Sequence, residues 1–446
     1  MTQQPSRMKA AEIHWARRKF KAMAVVFVLL IGLYGGYRFS MGWRVRAEIR
    51  LISAEAHPTQ LSQLPNWYQA PAGPNAASIY RKAFNTLVSD KALEHTVPYF
   101  SQTQLPRRGQ PLPSNMAAAI DQYLNANAAA LQLLHEAAGV ETCWYGGEVT
   151  PKLGTERWEL MSKAWHLLAL QAILAVHRGM PDNTGDSLVA LLRLTASMRH
   201  EPLIQSCMVR ASMDLQTVQL LEKVLGDGRL KPAKLDDLSQ LIADSLNHKM
   251  LARAFIVERC LVINSFDDYF SDISRRGTGN RIKVGIRRLS GLIDLDKVAV
   301  MRLLGNVIKE IQDTDEPRLH NVWSILRNQS RLHMATRLVG GRVAEAMEGT
   351  AVYMAIKRCA LTGLALKRYQ LDNDVMPRSL AVLAPKYLDA VPTDPYDDRT
   401  LQYVQTKNHL MVYSVGPDGI DNGGVEQDST GHRYTRHTDV TFTLTR

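Results

Sequence analysis

The chain has 446 residues, more than a single hydrophobic core usually organises, so its length predicts two or three domains. Hydrophobic residues make up 46% and charged residues 22% of the sequence, a balance that excludes an intrinsically disordered chain. The formal net charge of +11 favours an anionic partner, but part of this excess flanks the first apolar segment, where membrane topology explains it.

The first element is an apolar segment that carries no charge over residues 22–37. A membrane span needs about 20 apolar residues, and basic side chains at the ends of a slightly short segment can reach the head groups. We therefore predict a transmembrane anchor over residues 22–43, preceded by a basic cytoplasmic tail over residues 1–21. By the positive-inside bias, we expect a single-pass protein of a bacterial inner membrane, with a cytoplasmic N-terminus and a periplasmic bulk. The charges that set this bias are Arg7, Lys9, Arg17, Arg18, Lys19 and Lys21 against Glu12.

Two other interpretations of the apolar segment stay open. A cleaved signal peptide would use the small residues at 40–42, although Arg38 and Phe39 separate them from the apolar run. A core helix of a globular domain would need a polar face, and the segment has none.

Residues 44–330 are predicted to form a mostly helical exported domain, a bundle or an irregular array. Prolines interrupt residues 43–77, which indicates a short helix and then an extended connector. One helix is predicted to begin at Thr155 and to end before Gly179, because apolar residues recur at spacings of three and four. Further helices are predicted to begin at Asp186 or Ser187, at a point that places Pro202 just inside the helix, and near Pro232.

Positive charge is densest over residues 275–288, "RRGTGNRIKVGIRR". Glycines interrupt the helical pattern there, so we predict a mobile loop. An anionic envelope component or simple solvation suits this segment better than nucleic acid, because no aromatic residues interleave as stacking platforms. The aromatic segment at residues 66–71 is predicted to pack on the helical domain, with a binding surface as the alternative.

Residues 331–446 are predicted to form a small α+β domain that begins with a long helix over residues 331–372. Strand-like runs follow at residues 400–406, 410–415 and 439–446. The last run alternates Val440, Phe442 and Leu444 with threonines, which predicts a strand with one buried face. The predicted fold class is therefore mainly α: a single transmembrane helix, a helical bundle or array, and a small head made of a long helix plus an antiparallel sheet.

A spaced pattern of residues runs through this C-terminal part: Tyr369, Asp372, Asn373, Pro377, Leu380, Leu383, Tyr387, Leu388, Pro392, Asp394, Pro395, Tyr403, Ser414, Gly416, Asp418 and Gly419. The pattern resembles the globular part of the major pseudopilin of type II secretion systems. The resemblance implies a calcium-binding loop after the second strand, in which Asp418 is the direct match and Asp439 corresponds to an acid before the final strand. The N-terminal processing site of a pseudopilin is missing before Ala22, so the resemblance does not imply polymerisation.

The whole chain also resembles a group of uncharacterised, membrane-anchored proteins from planctomycete-type bacteria. The shared segments are "LPNWYQAPAGPNAASIY", "RHEPLIQSCMVRAS" and "SVGPDGIDNGG" followed by "TDVTF". This resemblance implies no known activity.

The loop after the second strand also suggests calcium by its own chemistry. Asp418, Asp421 and Asn422 lie among glycines, and Asp439 or Asp428 would supply a fourth oxygen ligand of the kind that Ca²⁺ prefers. The spacing is not that of an EF-hand. The alternative is an Asx turn, in which these side chains bond their own backbone.

Catalytic motifs are scarce. The segment at residues 199–202, "RHEP", invites acid–base or metal chemistry with His177 and His166 nearby, but ordinary helix-end chemistry is the preferred explanation. No zinc-protease, serine-hydrolase or phosphate-loop motif is present. We therefore expect a non-enzymatic envelope protein that docks protein partners, among them secretion machinery, with nucleic acid an unlikely partner. The alternative is an envelope hydrolase whose site involves His177, His200 and Glu201 in the helical domain.

The four cysteines are Cys143, Cys207, Cys260 and Cys359. They form no CxxC pair, so a zinc framework and a dense disulfide scaffold are excluded, whereas an isolated disulfide stays open. Cys207 lies on an apolar stripe, which predicts a small core residue.

Overall fold

The computed structural model describes residues 4–101, 103–147, 149, 154–227, 230–245, 249–313, 319–328, 333–427, 432–435 and 437–445. Within these residues the chain is mainly helical, with one small sheet near the C-terminus. The helices are α1 (Gln4–Ala54), α2 (Leu64–Trp67), α3 (Ala77–Thr86), α4 (Lys91–Glu94), α5 (Ser114–Ala126), α6 (Ala128–Ala138), α7 (Thr155–His177), α8 (Pro181–Ala196), α9 (Ile204–Asp227), α10 (Pro232–Asp244), α11 (Lys249–Arg275), α12 (Thr278–Leu289), α13 (Leu292–Asp313), α14 (Leu319–Arg327) and α15 (Met334–Asn373). The strands are β1 (Gln402–Gln405), β2 (His409–Ser414) and β3 (Val440–Thr445).

Helix α1 runs without a break from the apolar segment into the folded body. Its part from Arg18 to Ala54 is long and apolar enough to cross a membrane, with a mean hydropathy of 1.8 in its most apolar stretch, none of which is buried. Beyond that stretch, Ile52 packs against Ile263, Val298 and Met301. The short helix expected from Trp43 is the last part of α1, because an apolar stripe at helical spacing carries α1 on to the core.

One apolar core is formed jointly by helices that precede α11, by the long helix α15 and by the sheet. It combines side chains of α3 and α5 to α10 with those of α15 and the sheet, among them Phe84, Leu167, Leu221, Leu364 and Phe442. A second cluster lies between α11, α13 and α15. The domain boundary expected between residues 330 and 331 lies outside the described residues. The C-terminal part shares its core with the helices that precede it.

The sheet is antiparallel, with strand order β1-β2-β3. Tyr403 faces Val412 across the first pair, and Val412 faces Phe442 across the second, so the three predicted strands are confirmed. The expectation that β3 has one buried face is wrong, since Thr441 and Thr443 are also buried, at 0% and 3% exposure. The hydroxyls of Thr441 and Thr443, on that second side, bond Arg433 and Glu426 of the segment between β2 and β3.

Helix α15 and the sheet come into close contact at a glycine. A Cβ atom built on Gly363 of α15 would lie 2.4 Å from the ring of Phe442 in β3. No other residue type permits this approach, because any side chain would collide with the ring.

Two predicted helix starts are confirmed and two are wrong: α8 begins earlier than expected, and α9 begins at Ile204, so Pro202 precedes that helix instead of lying inside it. Helices begin at Thr155 and at Pro232, as the capping and proline signals indicate. Helix α8 begins at Pro181 instead of Asp186 or Ser187, because proline suits the first helical position and Gly185 is accommodated inside. The basic segment predicted as a mobile loop contains α12, whose period the glycines obscured in the sequence.

The aromatic segment at residues 66–71 packs on the helical domain, as expected. Tyr68 is buried and contributes with Leu64 to a small cluster that includes Leu203 and Val257. All four cysteines are free, and Cys207 is only partly buried, against the second core cluster.

Candidate functional site

The acidic loop after β2 is closed by Asp439, which is completely buried. Its Oδ2 atom accepts backbone N–H groups of Gly424, over 2.7 Å, and Val425, over 3.1 Å. Its Oδ1 atom accepts the N–H of Asn422 over 3.4 Å. Burial raises the pKa of Asp439, these bonds lower it, and the nearby charge of Asp421 raises it further. Asp439 therefore orders the loop through its backbone.

The other predicted ligands bond their own loop. Asp418 Oδ1 accepts the N–H of Ile420 over 3.0 Å, and Asp421 Oδ1 accepts the N–H of Gly423 over 2.9 Å. The amide of Asn422 donates to the carbonyl of Ile420 over 3.1 Å. The two aspartate bonds are Asx-turn bonds, and the Asn422 amide adds a bond within the same loop. They build the turn whether or not a cation is bound.

The loop brings Asp421 and Asn422 beside Asp439, whereas the free oxygen of Asp418 lies 3.7 Å from His437 Nδ1. Among the described residues, no group of three or more His, Cys, Asp or Glu is placed to hold a metal ion. Asp428 lies outside them. Calcium at this loop stays a prediction.

The residues of the hydrolase alternative have separate surroundings. His177 lines a depression of about 400 Å³ together with Lys223 and Gly226. Glu201 is buried, where it pairs with Arg157 and accepts the hydroxyl of Ser206 over 2.5 Å. His177 ends α7 and Glu201 pairs with Arg157 at the start of the same helix, so the two lie at opposite ends of α7 and form no nucleophile–base arrangement.

Two further histidines, His166 and His200, have lowered pKa values. His166 stacks on Tyr99 with ring centroids 5.1 Å apart and meets the edges of Phe100 and Trp165. Burial lowers the pKa of His166 to about 4. The pKa of His200 is also lowered, by burial and then by the adjacent Arg199. Both are therefore neutral imidazoles in the folded protein.

Asp214 of α9 is the centre of a buried polar network. Lys357 Nζ, on α15, donates to Asp214 Oδ2 over 3.0 Å and to the hydroxyls of Ser245 and Tyr353. Tyr353 also donates to Asp214 Oδ2, over 2.8 Å, and Thr195 of α8 donates to the other oxygen. The network thus ties α8, α9 and the end of α10 to the long C-terminal helix.

The electrostatics of this network are unusual for a core. Burial lowers the pKa of Lys357 to about 7, with Asp214 opposing the shift and Arg210 reinforcing it. Burial alone would raise the pKa of Asp214, but Lys357 and Arg210 together lower it. A lysine with a depressed pKa beside a hydroxyl, that of Ser245, matches a nucleophile with its base. Both side chains are enclosed, so the contact is structural in this conformation.

Sequence reasoning missed this network. Asp214 and Lys357 are 143 positions apart, so spacing in the chain carries no information about their contact. One signal was present: Lys357 and Arg358 interrupt a run of apolar residues on α15. Charged residues on a buried stripe need partners, which is a reason to look for acids on facing helices.

A set of polar contacts fixes the end of the apolar segment to the folded body; we name it the α1 junction. The hydroxyls of Tyr34 and Tyr37 donate to the carbonyls of Leu289 and Ser290, each over 2.8 Å. One turn further on, Arg38 forms an ion pair of 2.7 Å with Asp294. The loop between α12 and α13 therefore lies beside the last turn of the uncharged run.

Two further ion pairs attach the C-terminal part of α1 and the residue that follows it to the body. Glu48 binds Arg302 of α13 over 2.9 Å, and Glu55 binds the buried guanidinium of Arg259 on α11 over 3.1 Å. His57 also contacts Arg259, over 2.7 Å. Contacts with α11, with α13 and with the loop between α12 and α13 therefore fix the direction of α1 relative to the body.

A groove lies between α5 and α6 on one side and α7 and α8 on the other; we name it the α5–α8 groove. It consists of two adjoining depressions of about 390 and 520 Å³. Side-chain amides recur along its walls, at Asn125, Gln132, Gln171 and Asn183. Gln171 is held by His135 over 2.8 Å. Amide side chains next to apolar surface, one of them fixed, suit the backbone of an extended peptide.

Comparison of the chain with protein-family models, with curated proteins and with solved structures gives no match in any of the three.

Proposed function

We propose that α1 crosses the membrane once and that the chain is a non-enzymatic envelope protein that presents a docking surface to protein partners. The α1 junction carries this proposal. A flexible tether suffices to keep a protein near a membrane, but Tyr37, Arg38 and Glu48 instead lock the anchor to the body. Such locking is useful where a surface has to face partners in a defined orientation.

The α5–α8 groove is the docking surface that we favour. Its amide side chains can pair with the backbone of an extended segment, while Leu131 and Leu174 in its lining supply apolar contact. Lys357 and Asp214, whose pKa values are both lowered, lie outside the groove, in an enclosed network. This supports binding over chemistry in the groove.

The groove is tested by site-specific photo-cross-linking of the full-length protein in its native membranes. A cross-linker at Gln132, in the groove, is compared with one at the exposed Glu159 on α7. We expect a discrete protein adduct only at residue 132. Substitution of Ala128 by Arg, which fills the groove, should abolish that adduct. Identical labelling at both positions, or an adduct that survives A128R, would contradict the proposal.

We also propose that the N-terminus is cytoplasmic and that the bulk of the chain is periplasmic at the inner membrane. The charge bias of the N-terminal tail supports this orientation. The structure also contains a feature that opposes this bias, because α12 brings further basic residues close to the opposite end of the apolar segment. A cysteine at the exposed Asp237 should react with a membrane-impermeant thiol reagent added to spheroplasts. Reaction only after lysis would reverse the orientation.

For residues 331–446 we propose kinship with the pseudopilin head and, through it, a partner in secretion machinery. A long helix followed by an antiparallel sheet, with an acidic loop between β2 and β3, supports this. Affinity capture from native membranes, with calcium or with chelator, tests it. Secretion components recovered only with calcium would make the loop a metal-ordered contact, and their absence from both samples would contradict the kinship as a functional statement.

One observation favours the second candidate, an envelope hydrolase: the contact between Ser245 and Lys357. A serine-directed fluorophosphonate probe applied to the full-length protein tests it. Because both side chains are enclosed, we expect no labelling. Labelling that disappears in Ser245→Ala would move the proposal to hydrolysis.

A further inference from the structure

Helix α12 lies where the apolar segment of α1 ends. Its last residue, Leu289, accepts the hydroxyl of Tyr34 through its carbonyl, and the next residue, Ser290, accepts that of Tyr37. Both tyrosines belong to the last turn of the uncharged run. Tyrosines at such positions occupy the head-group level of a bilayer. If α1 spans the membrane, as proposed above, then the C-terminal end of α12 is at that level.

One face of α12 carries large apolar side chains with nothing against them. Ile282, Ile286 and Leu289 are spaced by four and three residues, so they share a face, and they are 57%, 60% and 65% exposed. Val284 points the other way, into the core, and is 6% exposed. The helix is therefore attached to the body by one side and presents an apolar stripe on the other.

Basic side chains border this stripe. At helical spacing, Arg281 and Arg288 fall on one flank of it and Lys283 falls on the other, and all three are exposed. Arg287 lies on the core side, 3.4 Å from Asp296. No acidic residue occurs over residues 275–293. The exposed side of α12 is thus an apolar stripe between cationic margins.

We propose that α12 is an interfacial helix that lies in the head-group region of the bilayer crossed by α1. The stripe of Ile282, Ile286 and Leu289 contacts the upper acyl chains, and the flanking basic residues bind anionic lipid head groups. Charge complementarity and the contact with α1 select lipid over another protein, because a bilayer is what surrounds α1 at this level. A stripe of this kind adds a second attachment beside the span and fixes the rotation of the body about α1.

The test uses the full-length protein in lipid nanodiscs that contain phosphatidylglycerol. A bimane probe is attached to Ile286→Cys, and to Asp237→Cys on α10 as the control; both positions are exposed, so the core is left intact. The unmodified chain gives the background labelling of the native cysteines. We expect lipids brominated in the upper acyl chain to quench the probe at residue 286 at least about twofold and to leave the control unchanged.

Removing the cationic margins, in Arg281→Gln/Lys283→Gln/Arg288→Gln, or replacing phosphatidylglycerol by phosphatidylcholine, should reduce the quenching at residue 286. The inference is overturned if the protein incorporates into the nanodiscs but its probe at residue 286 is not quenched by the brominated lipids and is quenched by aqueous iodide. An unquenched probe that forms a disulfide between two copies also overturns it, since a second chain would then cover the stripe. A chain that fails to incorporate into the nanodiscs would instead contradict the span of α1, which keeps the two proposals separable.

Discussion

Lys357 of α15 and Asp214 of α9 form an ion pair of 3.0 Å in which neither side chain is more than 1% exposed. The pair joins the C-terminal helix to the helical domain, and each buried charge is compensated by the other. Removing one partner of such a pair leaves the other charge buried and uncompensated. The predictions below begin with this contact.

We expect Lys357→Met to lower the free energy of unfolding by about 3–5 kcal/mol, because Asp214 would keep only part of its compensation, from Arg210. The double variant Lys357→Met/Asp214→Asn should recover part of the loss. Urea unfolding of the full chain in detergent measures it. The control is Lys231→Met, which breaks the exposed pair with Asp182 and should change far less. Equal effects at the two sites would show that the buried pair is not specifically stabilising.

Acid should destabilise the protein in a defined window because of His166. Its pKa is about 4 in the folded chain and near 6.5 when unfolded, so the unfolded state binds more protons between those values. The stability contribution of the neutral imidazole is therefore complete above pH 6.5 and is lost as the pH falls towards 4. Substitution of His166 by Phe, which keeps the stacking on Tyr99, should flatten the dependence of Tm on pH in this window. An unchanged pH dependence of Tm in His166→Phe would contradict the role of this imidazole.

Two glycines of α15 should respond to alanine with opposite signs. At Gly363 the new methyl group collides with the ring of Phe442, and we expect a loss of about 1–3 kcal/mol. At Gly349 nothing lies within 4 Å, so alanine should stabilise the helix by about 0.5–1 kcal/mol. Thermal unfolding of the two variants measures both. A loss at both positions would contradict the close approach at Gly363.

The acidic loop separates into two tests. Substitution of Asp439 by Ala should lower Tm with or without calcium, because three backbone N–H groups lose their acceptor, at a cost of about 1–3 kcal/mol. Substitution of Asp418 by Ala removes one backbone bond instead of three, so it should lower Tm in chelator by less than Asp439→Ala does and should remove any increase that calcium produces. A wild-type Tm that is identical in calcium and in chelator would reduce the loop to a turn.

Glu222 of α9 is expected to hold the edge of β3 closed. It accepts the N–H of Thr443 over 2.6 Å and pairs with Arg433 and Arg108, each over 2.9 Å. In Glu222→Ala, hydrogen exchange of the β3 amides should accelerate, while exchange in β1 stays the same. Uniform acceleration across the protein would indicate global destabilisation and contradict a local role.

Local patterns in the sequence were sufficient for the strands and for helices with clear boundaries. The alternation of Val440, Phe442 and Leu444 predicted β3, and Pro232 predicted the start of α10. The contact that closes the edge of β3 was not predictable, because Glu222, which accepts the N–H of Thr443, lies more than two hundred positions away in the chain. Pairing at a distance is a property of the fold that periodicity does not encode.

The candidate sites show the same limit. The Asx turns at Asp418 and Asp421 were among the alternatives, since they need only neighbouring residues. The basic segment containing α12 was misread because two glycines mask a helical period whose apolar face has no core partner. The contact between Leu289 and Tyr34 joins residues 255 positions apart and explains why that face exists next to the apolar segment.

The continuity of α1 has a mechanical consequence. Its uncharged run over residues 22–37 would measure roughly 24 Å along the helix axis, less than the ~30 Å of a typical hydrocarbon core. A short span stands upright in a thick bilayer and is free to tilt only where the bilayer is thin. Because the same rod continues to Ala54 and is clamped to α11 and α13, a change in tilt would swing the entire body through the same angle. Local bilayer thickness would thereby set the direction in which the α5–α8 groove faces.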